Sequence, residues 1–332
     1  LNMSKLYFVK EALDEVQQFV EQVYFPDVCA VGALYADWLP YGAGVKNYLA
    51  VPDFPLDEKG TQFDLPGGTI MNGDLGTVKE IKSFRDDYFK EGVTESIARA
   101  WYDGDWEKHP YDEETVPKYG KWEDDGKYSW VKAPRFQGKP MQVGPLAQVL
   151  VGLALKHEPT VRWGTKALET IGAVAKTKVG PEILHSTLGR HAARMIRTCV
   201  IAEITQKQWK LLVENIGKGD TEIFRKPEFP SGEQRGYGFH EAPRGTLSHW
   251  IVIRDGKIAN YQAVVPSTWN AGPRDAKGQV GPYEASLIGN PIADAERPLE
   301  VLRTIHSFDP CLACAIHTLD VEGNEIARVR TA

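Results

Sequence analysis

The stretch from Gln142 to Gly217 constrains the fold most, because it carries three helical patterns in close succession. Pro145 precedes an apolar run, Leu146 to Leu155, interrupted only by Gln148 and Gly152. Pro159-Thr160 opens a second pattern that reaches Lys178. Gly180-Pro181 punctuates, and proline suits a first helical turn because its missing N–H is not needed there. A long pattern then runs to about Ile216 and stops at Gly217-Lys218-Gly219. Residues 142–217 are therefore read as a helical core. The signal then turns to β structure. Thr246 to Ile253 alternates, Asp255-Gly256 is a hairpin turn, and Ile258 to Val265 returns. The expected class is mainly α with small antiparallel β elements (α+β), a large helical core plus a β-hairpin at 246–265.

The remainder reads less sharply. Leu6 to Val28 is an amphipathic pattern, with Leu13, Val16, Phe19, Val20 and Val23 at helical spacing. Residues 29–75 suggest short strands and turns. A helix is expected around Thr94 to Trp101. Residues 103–128 are the most polar segment and read as a surface excursion with little core. Pro282 to Asp294 and Pro298 to His306 look helical. The longest nearly apolar stretch, Val143 to Leu155, falls short of the ~20 residues of a membrane span. A net charge of −6 without a long basic run argues against a nucleic-acid ligand.

Of the four cysteines, Cys29 and Cys199 are isolated. Cys199 is in line with Leu184, Leu188, Ala192 and Met195, and so reads as a small buried hydrophobe. Cys311 and Cys314 form a C-x-x-C within Asp309-Pro310-Cys311-Leu312-Ala313-Cys314-Ala315-Ile316-His317. A lone pair at this spacing is open to several readings. Structural zinc needs four ligands and finds only His317 as a third. A redox pair wants a strand before it and a helix after it. A soft transition metal can take its other ligands from elsewhere, and a purely structural role is the fourth reading. Asp309 is a natural anchor for an arginine fork. Arg244 stands between Pro243, which stiffens the backbone, and Gly245, which permits close approach.

Together these segments resemble the large subunit of nickel–iron hydrogenases. The 309–317 run is similar to that family's C-terminal signature, and Glu241-Ala242-Pro243-Arg244-Gly245 to its arginine loop. Val264-Val265-Pro266-Ser267-Thr268-Trp269-Asn270 is similar to the segment lining the active-site ligands. Residues 129–135, 142–147 and 66–68 also resemble family segments. The resemblance implies reversible heterolytic cleavage of H2 to protons and electrons. It implies a nickel–iron centre with CO and cyanide ligands, with Cys311 a terminal nickel ligand and Cys314 bridging the metals. Arg244 would hang over the open face, held by Asp309 as a desolvated pair, with Pro243 in the same ligand shell. Ser267 would bond a cyanide and Pro266 pack beside the diatomic ligands. His317 and the backbone carbonyl of Ala263 would hold a magnesium (or iron). Electrons imply an iron–sulfur small subunit that carries all the clusters and, through it, a membrane cytochrome b. The enzyme is expected to be of the membrane-associated uptake type. It would sit on the periplasmic face through the small subunit's export signal, and in the cytoplasm as precursor.

Two departures from the family pattern shape these expectations. In this family a maturation protease cuts after the C-terminal histidine, once insertion factors have delivered nickel. Thr318 to Ala332 is accordingly expected to be a propeptide, which leaves 1–317 as the subunit portion and 309–317 as its metal-binding loop. The family's first C-x-x-C, within Arg-x-Cys-x-x-Cys-x-x-x-His, and its proton-relay glutamate do not occur. The chain is thus expected to be the C-terminal portion of a longer subunit, with doubtful activity alone. The alternatives are a non-catalytic paralogue or complex I-like interaction subunit, and a zinc-binding structural domain.

Overall fold

A computed structural model of the protein describes residues 2–123, 126–176, 179–224, 226 and 231–310 in full, and 315–319 and 325–330 as backbone. Its helices are α1 (Met3–Phe19), α2 (Phe25–Leu34), α3 (Asp87–Lys90), α4 (Pro145–Ala154), α5 (Glu158–Ala175), α6 (Thr187–Gly217), α7 (Pro266–Ala271), α8 (Pro282–Leu287) and α9 (Leu299–His306). Helix α4 starts at Pro145, directly after Gly144 in a left-handed conformation. Helix α5 ends on Lys176, also left-handed. The long pattern expected from Pro181 is broken. Pro181–Leu184 forms a 3₁₀ turn, and α6 begins after Ser186, whose hydroxyl accepts from the Gly189 N–H at 2.9 Å. This cap satisfies a donor that a continuous helix would have bonded in its own ladder. Leu146, Leu150, Trp163, Ile196, Cys199 and Val200 bury one another between α4, α5 and α6.

The amphipathic N-terminal pattern becomes α1, a π turn at Val20–Tyr24, and α2. The wide turn falls just ahead of Pro26, which has no N–H to give the ladder. Of the apolar side read from the sequence, Val20 is buried, whereas Val16, Phe19 and Val23 are exposed.

The strands form small antiparallel sheets, consistent with the expected α+β class. They are β1 (Tyr48–Ala50), β2 (Asp53–Pro55), β3 (Phe63–Leu65), β4 (Gly67–Met71), β5 (Asp74–Ile81), β6 (Val93–Ser96), β7 (Glu107–Lys108), β8 (Ala133–Phe136), β9 (Glu233–Ala242), β10 (Gly245–Arg254), β11 (Lys257–Val264), β12 (Ala315–Leu319) and β13 (Glu325–Arg330). The hairpin is β10–β11, turning through Asp255 (φ 50°) and Gly256 (φ 74°). A two-residue turn with both φ positive matches the twist of the strands it joins. Strand β9 adds to the other side of β10. Its sequence, Glu-Gln-Arg-Gly-Tyr-Gly, has no apolar alternation to announce it.

The helix expected at 94–101 is absent. Val93–Ser96 is strand β6, paired with β8 and β7, because pairing to distant residues overrides a weak local pattern. Helix is confined to 282–287 within the 282–294 stretch. The 103–128 segment is largely superficial, yet it buries Pro110 and Glu113. Glu113 meets the buried ammonium of Lys132, which also contacts Glu95 and Gln262. An ion pair needs such multiple partners to be tolerated inside.

Candidate functional site

The β9–β10 turn is Ala242-Pro243-Arg244-Gly245. Gly245 has φ 124°, and a Cβ on it would lie 2.4 Å from the Gly144 nitrogen. Gly144 has φ 116°, and its Cβ would lie 3.1 Å from the Arg244 carbonyl. Two glycines therefore let this turn touch the entry to α4, backbone against backbone. From α6, Arg197 donates through Nη2 to the Glu241 carbonyl (2.8 Å) and through Nη1 to the carbonyls of Ala242 (3.1 Å) and Pro243 (2.9 Å).

Glu241 is buried, and its carboxylate accepts from the Val51 N–H (2.9 Å) and the Thr246 hydroxyl (3.1 Å). Burial pushes its pKa up from the usual 4.5 to about 8, against the opposing pull of Arg197. The folded state then keeps a proton that the unfolded chain releases near pH 4.5. This contribution is full below that pH, is lost as pH rises towards about 8, and changes no further above it. Glu241→Gln is expected to remove on the order of 2–4 kcal/mol of pH-dependent stability across this window. Urea melts of both proteins at pH 5 and pH 8 measure it, and equal pH dependence would refute the assignment.

Arg244 reaches Asp309. Its Nε donates to the Asp309 backbone carbonyl at 2.8 Å, Nη2 lies 3.4 Å from Oδ1, and Nε lies 3.3 Å from Oδ2. The side chains are 38% and 43% exposed. The pair is thus half-exposed in this chain. An exposed pair contributes little stability, so its effect is to orient the guanidinium. Asp309 is itself left-handed, at φ 57°, and its N–H bonds the His306 carbonyl at the end of α9.

The same face of α6 that grips the turn also grips this segment. Arg194 Nη2 donates to the Ser307 carbonyl (2.8 Å) and Arg190 Nε to the Ser307 hydroxyl (2.6 Å), with the Arg190 guanidinium 3.8 Å over the Phe308 ring. Sequence reasoning missed these arginines. The available signal was cations at positions 190, 194 and 197, one side of a helix that is otherwise read as core.

Pro266 and Ser267 are buried at the start of α7, directly after β11, whose Val264 pairs with Ser248 of β10. Asn270 locks α7 to the α4 entry, its Oδ1 accepting from the Val143 N–H and its Nδ2 donating to the Val143 carbonyl, both at 3.1 Å. Ala263 is exposed on β11, opposite His249. Cys311 and Cys314 lie outside the described residues, and His317 is described only as backbone, paired with Arg328 across β12–β13. Cys29 and Cys199 are buried, and burial pushes their thiols up to about 11 and about 12, as suits packing rather than ligation.

A cavity of about 360 Å³ adjoins the Arg244 turn, lined by residues including Arg194, Arg197, Thr198, Glu241, Pro243 and Asp309. Arg194 Nε, Arg197 Nε and Glu241 Oε1 are buried without a hydrogen-bond partner among the described residues. Orphaned polar atoms around one cavity call for polar material within it.

Comparison with known proteins follows the same lines. A family model described as nickel-dependent hydrogenase matches residues 1–317. The Hydrogenase-2 large chain of Escherichia coli (strain K12) is 50% identical over 335 residues, which cover 99% of this chain and 58% of that one. The uptake hydrogenase large subunit of Bradyrhizobium diazoefficiens is 40% identical, covering 99% and 58%. Among solved structures, the [NiFeSe]-hydrogenase of Dm. baculatum superposes with a TM-score of 0.79 at 34% identity, covering 96% of this chain and 61% of that chain. The chain thus spans less than two thirds of the length of these relatives.

Proposed function

Because the chain belongs to the nickel-dependent hydrogenase family, we propose that it supplies the C-terminal thiolate pair and the arginine canopy of a catalytic large subunit. The reaction is reversible heterolytic cleavage of H2. The contact of Arg244 with Asp309 carries this reading, since it brings the arginine loop to within two residues of the C-x-x-C.

The residues fit such a centre in part. Cys311 and Cys314 are soft donors suited to nickel and low-spin iron. Cys29 and Cys199 are packed away, so two further thiolates must come from outside this chain. The orphaned polar atoms of the adjoining cavity are consistent with a further polar segment docking there. When bound, a nickel–iron centre with CO and cyanide on iron supplies the Lewis acidity and redox capacity that split H2.

The chain's own residues position and protect. Asp309 engages Arg244 through Nε and Nη2 and holds a fixed positive charge at a point of the chain two residues before Cys311. That charge stabilises negative charge as it develops. Ser267 and Pro266, buried at the start of α7, would bond and pack the diatomic ligands, and Pro243 would rigidify the arginine turn. His317 and the Ala263 carbonyl are assigned to a magnesium (or iron). Residues beyond His317 would be removed by a maturation protease after nickel insertion. Electrons would leave through an iron–sulfur small subunit to a membrane cytochrome b. Membrane attachment on the periplasmic face would come through that partner; no described helix of this chain is long and apolar enough to cross a membrane.

The test is metal content. In the complete subunit, matured with its partner, Cys314→Ser is expected to lose nearly all nickel, as removing a soft thiolate donor should. Elemental analysis and H2-dependent dye reduction read the outcome. Stoichiometric nickel in the variant, or no H2 oxidation by the parent, would overturn the reading.

A further inference from the structure

Two side chains proposed to face the metal centre stand on different elements. Arg244 lies in the β9–β10 turn and Ser267 in the first turn of α7. Their spacing matters, because a displacement of about 1 Å can cost a reaction about 100-fold. Val143 at the entry to α4 touches both elements. On one side it meets the arginine turn, where a Cβ built on Gly245 would lie 2.7 Å from Val143 Cγ2. On the other side its backbone is held by Asn270 of α7.

Asn270 is 2% exposed. Its amide takes both backbone groups of one residue, the N–H and the carbonyl of Val143, each at 3.1 Å. A carboxamide accepts and donates side by side in one plane. Two such bonds to a single residue fix direction as well as distance. Asn270 follows Ser267 by three residues and so shares its side of the helix. The rotation of α7 that Asn270 sets therefore also sets the direction of Ser267. Other contacts keep α7 docked. Trp269 is buried in the core cluster that holds Val264 and Trp250. Arg135 grips the chain leaving the helix, pairing with Asp275 (2.7 Å) and donating to the carbonyls of Pro273 (3.1 Å) and Gln279 (2.8 Å). None of these contacts involves residues 241–245, whereas the Asn270 bonds end on a residue that touches that turn.

We propose that Asn270 is a positioning residue: by holding Val143 it keeps the start of α7, with Ser267, in register with the Arg244 turn. The proposal deepens the functional reading above and rests on it for the roles of those two side chains.

The experiment uses the complete subunit, matured with its partner. Asn270→Ala removes both bonds. Asn270→Asp keeps an acceptor for the Val143 N–H but sets a second acceptor against the Val143 carbonyl. Phe89→Leu, a truncation in the core cluster that also holds Val143 and Trp269, controls for lost stability alone. Infrared stretching bands of CO and cyanide on iron, kcat and KM for H2, and hydrogen exchange of amides 241–246 are read together. Both Asn270 variants are expected to show displaced cyanide bands and a kcat about tenfold or more below the parent. Their amides at 241–246 should exchange about tenfold faster. Phe89→Leu is expected to keep the parental bands and kcat. Parental bands in an Asn270 variant that carries iron, an equal displacement in Phe89→Leu, or parental exchange at 241–246 in both Asn270 variants would overturn the proposal. If neither Asn270 variant takes up metal, exchange at 241–246 in the unmatured subunit decides in the same way. A parent without CO and cyanide bands, whose exchange at 241–246 still depends on Asn270, supports the tether and counts against the catalytic reading.

Discussion

Replacing Arg244 by lysine in the assembled enzyme is expected to lower turnover about 100-fold or more, with nickel and iron near their parental content. Arginine meets Asp309 with two nitrogens, Nε on the backbone carbonyl and Nη2 towards the carboxylate. A lysine ammonium is a single point donor on a flexible stem and cannot reproduce this planar fork. The positive charge would survive, but its position would not, and a displaced charge stabilises developing negative charge poorly. The metal ligands proposed here are thiolates, so metal content should be nearly indifferent to the change. H2-dependent dye reduction with elemental analysis of the same sample separates the two effects. Parental turnover in Arg244→Lys would remove the arginine from the mechanism, and loss of nickel would make its role structural.

Arg197→Ala should act through stability instead, costing about 2–3 kcal/mol. Arg197 is almost fully buried and donates to three successive carbonyls, those of Glu241, Ala242 and Pro243. Truncation leaves these acceptors unpaired around a cavity. The shift of the urea midpoint at constant slope measures the loss. Arg197→Lys should recover only part of it, because one ammonium cannot span three carbonyls. A midpoint within error of the parent would show that the turn is held by its glycines and strands alone.

The parts of the candidate site that were legible in the sequence are those where one residue type has one physical use. Pro243 and Gly245 announce a tight, close-approach turn, and Asp255-Gly256 announces a hairpin. Asp309 beside a C-x-x-C suggested an arginine partner, and the structure puts Arg244 on it. The arginines at 190, 194 and 197 were not read, because a helical cation is normally solvated and nothing local says otherwise. Lys132 escaped for the same reason: its burial exists only because Glu95, Glu113 and Gln262 arrive from three other segments. Strand β6 was mistaken for helix since its partners, β7 and β8, lie far along the chain.

By itself the sequence determined the α4–α6 helices, the hairpin turn and the α+β class. These follow from forces acting within a few residues: a missing proline N–H, a glycine's freedom at positive φ, an apolar period. Tertiary structure alone decided that α6 would clamp both the arginine turn and the segment before the cysteines. That outcome depends on which distant surfaces meet and which polar groups lose water when they do. No periodicity in a single stretch encodes that.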